Sequence, residues 1–267
     1  MAAMAEPVAI LSPLSRADGS ATYSHAGYTI TASANGPIEV QRRDENPDEA
    51  TVDVVIRPAA GVGGPSERHL DSVLKNTLQE IILVQEFPRC LIQIVLQVQS
   101  VPENDYVNTR LNVPGLNLGV LPALLQSAVL ALLSASIPMR TTATAVSLAI
   151  LPTASDSSET KIVTNFSPQD ASLALSTHVL AFSAQGDKLL LAESEGGFTM
   201  SEWDEVLMEA KKICCQSGLD DENVSDNGMA VDHKANSNVG PDMRGFLRSA
   251  VQGKLEDALK WRAVPGE

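Results

Sequence analysis

Residues 121–137 are apolar around the whole circumference of a helix. Leucines at 121, 124, 125, 130, 132 and 133 are interleaved with alanines, and no polar stripe is left to face water. The pattern predicts a helix buried on every side. The remainder of the chain must supply what covers it. Of its 267 residues 44% are hydrophobic but only 4% are aromatic, so Leu, Ile, Val and Ala must fill the core. The length suits one large domain or two small ones.

Other segments read more conventionally. Residues 28–34 alternate as a strand, Asn35-Gly36 is a turn pair, and 38–43 and 52–57 complete an opening meander. Ser66 is the expected N-cap of an amphipathic helix with a stripe at Leu70, Val73, Leu74, Leu78, Ile81 and Ile82, ended by Pro88. Leu91–Gln99 is a strand with Ile92, Ile94, Leu96 and Val98 on one face and Gln93, Gln97 and Gln99 on the other. Residues 100–118 have no period and read as a long loop. Strands follow at 143–151, 161–164, 173–183 and 188–194, and Ser201 with Asp204 predicts the start of another helix. Strand runs with intervening helices indicate an α+β fold. The expected organisation is a flexible N-terminus at 1–13, a folded domain at 14–217, a disordered linker at 218–241 and an amphipathic helix at 242–267.

The charge constrains function. There are 33 acids against 19 bases, a net −14, and the excess is spread over the folded body. Independent nucleic-acid binding normally rests on a basic footprint, which is missing. The three cysteines, Cys90, Cys214 and Cys215, fit neither a disulfide frame nor a metal motif and suit a reducing compartment. The N-terminus lacks the basic and apolar regions of a secretory signal, and no apolar run reaches the roughly 18 residues of a membrane helix. Neither membrane, metal nor cofactor is expected. The loop Gly61–Gly64 precedes a helix but has neither P-loop nor Gly-x-Gly-x-x-Gly spacing, so it reads as a tight connection. His178 reads as a satisfied strand histidine, and no Gly-x-Ser-x-Gly elbow exists. Residue types alone therefore reveal no active site.

Five stretches taken in order say more. They are Asp18-Gly19-Ser20-Ala21, Gly36-Pro37-Ile38-Glu39, Arg57-Pro58-Ala59-Ala60-Gly61, Pro88-Arg89-Cys90, and Ala131-Leu132 through Ile137-Pro138-Met139. In this succession, over roughly residues 14–217, the chain resembles the RNase PH family, and within it the branch that builds the core ring of the eukaryotic RNA exosome. The resemblance implies a fold like the second domain of ribosomal protein S5. It implies partners as well: other RNase PH-like exosome subunits in a hetero-hexameric ring, S1/KH-type cap subunits, and single-stranded RNA in the assembled channel. A place in nucleus, nucleolus and cytoplasm goes with them, in rRNA maturation, RNA surveillance and mRNA turnover.

Active members of the family cleave RNA from its 3′ end with inorganic phosphate. Their Asp-Gly/Ala-Gly-Thr-Arg stretch holds the phosphate, and an Asp-Pro motif follows a later strand. The corresponding places here are Gly119-Val120-Leu121 and Asn165-Phe166-Ser167. Val120 and Leu121 have no group that binds an oxyanion, and the Asn165 amide cannot accept a proton at neutral pH. The resemblance with these departures implies a non-catalytic structural subunit; the alternative is an active phosphate-dependent 3′–5′ exoribonuclease. The residues expected to meet RNA phosphates are Arg42, Arg43, Arg89 and Arg110.

Overall fold

The all-round apolar segment lies where its composition demands, between two β-sheets. The structure, a computed structural model, describes residues 6–43, 45–102, 118–152, 160–215 and 243–262. Its elements are β1 (Val8–Leu11), β2 (Gly19–His25), β3 (Tyr28–Glu39), β4 (Thr51–Arg57), α1 (Pro65–Ile81), β5 (Cys90–Ser100) and α2 (Leu121–Ser134). There follow β6 (Ala143–Pro152), β7 (Thr160–Thr164), α3 (Pro168–Leu173), β8 (Ser176–Ser183), β9 (Leu189–Gly196), α4 (Met200–Cys215) and α5 (Met243–Leu259). One sheet has the order β1-β2-β3-β5-β4 and the other β7-β6-β8-β9.

α2 touches β2 and β3 of the first sheet and β6 and β8 of the second, and Leu121, Leu124, Leu125, Leu130 and Leu132 have no exposed surface. Its Leu/Ala composition favours helix, and Pro122 is tolerated in the first turn, where no backbone donor is lost. A Schellman motif ends it. Ser136 takes φ +57°, its N–H donates to the Leu133 carbonyl, and the Ile137 N–H donates to that of Leu132.

The first sheet is two-faced. Ala21, Tyr23, Ile30, Ala32, Val52, Val54, Ile92, Ile94 and Leu96 are buried, and α1 packs beside α2 over this face. The second sheet is covered on both faces. Val179, Ala181 and Leu191 join the main core, while Val146, Leu148, Ile150, Leu180 and Phe182 pack against Val206, Ala210 and Cys214 of α4. The result is layered: sheet, helices, sheet, helix, as expected of an α+β chain.

Several local expectations need correction. The opening is not a simple meander, because β5 inserts between β3 and β4 and runs parallel to β4, making β4–α1–β5 a crossover unit. Asn35-Gly36 is not a hairpin turn but an irregularity within β3, which runs on to pair Ile38 and Glu39 with Leu91 and Cys90. Asp18 holds it there: its Oδ2 accepts the Gly36 N–H at 2.9 Å. The cap of α1 is Gly64 rather than Ser66, with Glu67 Oε2 accepting the Gly64 N–H at 2.6 Å. The cap of α4 is Thr199 with Glu202, not Ser201 with Asp204. The stretch expected as a strand from 173 contains the last residue of the short helix α3, whose capping box pairs Ser167 with Asp170. Val8–Leu11, inside the stretch expected to be flexible, pairs antiparallel with Ala21–Ser24. The expected linker at 218–241 lies outside the described residues.

The C-terminal helix docks back on the body. Met243 and Leu247 are buried, and the Phe246 ring meets Tyr23 edge-on at 6.0 Å. Arg244 donates to the Ser183 carbonyl at 2.9 Å and to Asp187 Oδ1 at 2.7 Å. Its partners lie in the β8–β9 hairpin, so α5 ties the second sheet to the face carrying β1 and α2.

Gly19 marks the tightest helix–sheet approach. A Cβ there would lie 2.3 Å from the Ala135 nitrogen and 2.5 Å from the Ala131 carbonyl oxygen at the end of α2. Neither backbone atom can yield. Gly19→Val is therefore expected to destabilise the chain by about 1–3 kcal/mol or more through overpacking, measured by denaturant unfolding. An unfolding midpoint unchanged from wild type would contradict this packing.

Candidate functional site

At the other end of the first sheet the two layers part. A cleft of about 580 Å³ opens between the start of α1, the C-terminal ends of β4 and β5, the turn before α2, and the region of α3, β8 and β9. Its walls are largely apolar, including Leu70, Val98, Leu118, Val120 and Phe166. Such size and lining are typical of small-ligand and side-chain pockets, which run to roughly 300–1,000 Å³. The charged groups on its walls are Glu67 and Glu195, and no lysine or arginine among the described residues joins them.

At two places that could hold an anion the chain sets its own side chains. The N-terminus of α1, following the Gly61–Gly64 loop, presents backbone donors to the cleft, but Glu67 supplies the carboxylate that accepts from Gly64. Over Gly119, before α2, stand the Tyr28 hydroxyl and the Phe166 ring; a Cβ on Gly119 would lie 3.0 and 3.3 Å from them. Burial raises the Tyr28 pKa, so the hydroxyl stays protonated. Asp71, whose Oδ1 accepts the Ile56 N–H at 2.6 Å, has its pKa raised by burial and by neighbouring Asp53 and Glu67, with the Ile56 bond opposing. Arg68 opposes that rise, and the lining of the cleft itself is apolar with two carboxylates.

The residues singled out in the sequence scatter over four places. Val120 lines the cleft and is almost wholly buried. Leu121 turns into the core with no exposed surface. Asn165 follows β7 at φ +51°, its N–H donating to the Ser147 carbonyl at 2.8 Å. Its neighbour Phe166 lines the cleft, whereas Asn165 lines a separate small cavity with Gln126, Tyr23 and His25. Gln126 is 1% exposed, and its amide has no hydrogen-bond partner among the described residues.

Arg42, Arg43 and Arg89 cluster near the far end of the first sheet. β3 leads out to the first two, and Arg89 immediately precedes the paired start of β5. Arg42 and Arg43 are exposed. Arg89 sits at φ +64° with its Nε 3.3 Å from Glu45 Oε1. Nine residues of β5 separate Arg89 from Val98 in the cleft, or about 30 Å at a rise of ~3.3 Å per residue. Arg110 lies outside the described residues.

Three cleft residues escaped the sequence reading, Tyr28, Glu67 and Glu195, whereas Phe166 lies in the stretch set against the family's Asp-Pro motif. Only Glu67 had a local signal, its place three residues after Gly64, which the choice of Ser66 as cap obscured. Tyr28 and Glu195 reach the cleft only through tertiary packing. Among the described residues no group of three or more His, Cys, Asp or Glu side chains is arranged to hold a metal, and no helix is long and apolar enough to cross a membrane. Burial pushes the Cys214 thiol up to about 12 and that of Cys215 to about 11, which leaves little thiolate at neutral pH.

Behind the cleft, on the α4 side of β8, His178 is fully buried. Its Nε2 lies 2.9 Å from Ser176 Oγ and its Nδ1 2.8 Å from Ser194 Oγ, and Phe198 and Trp203 stand edge-on to its ring. A neutral imidazole satisfies both hydroxyls, donating to one and accepting from the other. Burial lowers the His178 pKa, against a smaller opposing pull from Glu202. The unfolded chain then binds more protons just below the ordinary histidine pKa, so stability is complete above about pH 6.5 and falls as pH drops through that value. His25 is lowered by burial as well and adds to the slope. His178→Gln is expected to flatten the decline in unfolding free energy between pH 7 and pH 5.5 without abolishing it. An identical slope in wild type and variant would remove His178 from this account.

Comparison with known proteins supports the fold and the lineage. Residues 8–138 match the model of the 3′ exoribonuclease family, domain 1, the RNase PH domain. The chain is 35% identical over 127 residues to the exosome complex component rrp46 of Schizosaccharomyces pombe, covering 48% of this chain and half of that protein. It is 27% identical over 206 residues to the exosome complex component RRP46 of Saccharomyces cerevisiae, covering 75% of this chain and 86% of the relative. A relative from Oryza sativa, named as an exosome complex exonuclease RRP46 homolog, is 32% identical over 139 residues, covering 52% of each chain. The matched region thus spans about half the length of the fission-yeast and rice relatives. The crystal structure of rice Rrp46 shares the fold, with a TM-score of 0.65 and 23% identity over 77% of this chain and 87% of that one.

Proposed function

Since residues 8–138 match the RNase PH domain, we propose that the chain is a non-catalytic structural subunit of the RNA exosome core. It would stand in a hetero-hexameric ring with other RNase PH-like subunits, under S1/KH-type caps. The names of the yeast relatives and the fold shared with rice Rrp46 support the place in the complex. The reading that it lacks phosphorolytic activity rests on one observation above all. The cleft beside Val120 and Phe166 has no cation among its described walls and two carboxylates on them. Phosphorolysis must bring a phosphate dianion up to the scissile phosphodiester, and positive or backbone donors have to offset that charge. Here the Gly64 N–H at the start of α1 is taken by Glu67, whose carboxylate stands where an anion would approach, and Val120 offers no donor.

In this role the chain contributes to 3′-to-5′ processing and degradation of RNA in nucleus, nucleolus and cytoplasm by holding its neighbours and guiding RNA. Its net charge of −14 suits a subunit that holds RNA poorly alone and meets more basic neighbours in an assembly. The name of the rice relative favours a competing reading, an active phosphate-dependent exoribonuclease. The purified chain, incubated with oligoadenylate and inorganic phosphate, is expected to release no nucleoside diphosphate. Phosphate-dependent release of nucleoside diphosphate by the purified chain would establish activity instead.

The RNA contacts of this reading are Arg42, Arg43, Arg89 and Arg110. Changing all four to Ala is expected to reduce crosslinking of the assembled complex to single-stranded RNA and to lower its salt dependence. Crosslinking at the wild-type level would exclude these side chains as RNA contacts.

A further inference from the structure

The cleft has no task in the reading above. Its physical character nevertheless selects an occupant. It is of ligand size, and its inner wall is built from residues that are themselves nearly buried, Leu70 at 4%, Val98 at 6% and Leu118 at 3% exposure. At its mouth the apolar surface continues outward: Val101 and Leu175 line it and are about half exposed, and Leu173 beside them is 70% exposed. Exposed large aliphatics grouped around a pocket mark a binding surface more than scattered ones do.

Charge narrows the choice. Among the described residues both ionised groups on the cleft walls are carboxylates, and Glu195 has no ion-pair partner there. Asp53 and Asp71 add negative charge behind Glu67. Among the described residues that line it, a phosphate, a nucleotide or an acidic peptide would find no counter-charge on leaving water. An apolar group carried on a basic chain would bury its apolar part and place its cations against Glu67 and Glu195.

We propose that this cleft is a docking pocket for an apolar side chain of a lysine- or arginine-flanked segment in a partner protein. The segment inserts a leucine or phenylalanine side chain between Leu70, Val98, Val120 and Phe166. Leu175 and Val101 cover its flanks, and Glu195 at the rim pairs with a basic residue beside the anchor. A single buried anchor with a charged rim is the usual division of labour in small interfaces, the anchor supplying affinity and the rim partner choice. The test uses the chain alone, so its failure is distinguishable from failure of the exosome reading.

Full-length chain with isotope-labelled valine and leucine methyl groups provides the measurement. The probe is a capped heptapeptide, Lys-Lys-Leu-Phe-Leu-Lys-Lys, titrated while the Val98, Leu118, Val120 and Leu175 methyl signals are followed. Saturable shifts confined to these methyls are expected. The same peptide with Glu for every Lys should bind roughly tenfold more weakly or worse, and so should the lysine peptide to Glu195→Lys. Leu175→Ser, an exposed change that leaves the fold intact, should weaken binding without loss of dispersed methyl signals. Equal binding of the two peptides would overturn the proposal, as would the absence of any shift at about 2 mM peptide. Tighter effects on these methyls from inorganic phosphate or oligoadenylate would make the cleft an anion or RNA site. Saturation by dodecylamine but not by the peptide would make it a site for small amphiphiles. Either result also refutes the proposal.

Discussion

Everything in this molecule is arranged around a helix that cannot touch water. α2 buries Leu121, Leu124, Leu125, Leu130 and Leu132 completely, so it needs apolar walls on all sides. One sheet can cover only one side of a helix. The chain therefore builds two, and sets α1 beside α2 and α5 across its edge. The small-residue motifs of the sequence acquire a physical meaning in this setting. Gly19 lets the end of α2 approach β2 within a distance no side chain permits, and Asp18 holds the Gly36 backbone so that β3 can continue across β5. These positions serve the frame.

The cleft is a by-product of the same frame. α1 and α2 lie side by side on one sheet, and the second sheet closes over α2 but leaves the start of α1 uncovered. What lines the opening then decides its chemistry. Here the exposed helix end is neutralised by the chain's own Glu67, and the space above Gly119 is taken by Tyr28 and Phe166. An opening of the same shape with cations on its walls would attract phosphate. This one, with carboxylates at 67 and 195, repels it.

Much of the fold was legible in the sequence because burial leaves a periodic trace. The stripe from Leu70 to Ile82, the alternation from Ile92 to Val98 and the unbroken apolar run of α2 each named an element and its inward face, and each is present. The errors arose where two local signals competed. Ser66 and Ser201 are better isolated caps than Gly64 and Thr199, but Glu67 accepts from the Gly64 N–H and Glu202 exchanges reciprocal hydrogen bonds with Thr199. Asn35-Gly36 has turn chemistry, yet pairing with β5 rewards an extended chain there. That β5 would come between β3 and β4 has no local signature, since strand order is set by which edges meet after folding.

The candidate site divides in the same way. The sequence alone determined that positions 120 and 121 carry no anion-binding group, that residue 165 is an amide, and that the chain as a whole is strongly acidic, because these are properties of side-chain type. Only the tertiary structure decided that Val120 and Phe166 share a cleft while Leu121 faces the core and Asn165 a different cavity. It alone set Arg42, Arg43 and Arg89 at the opposite end of the sheet, and brought Glu67 and Glu195 to one opening from segments more than a hundred residues apart. Composition is carried along the chain, whereas proximity is created by packing two sheets around one buried helix.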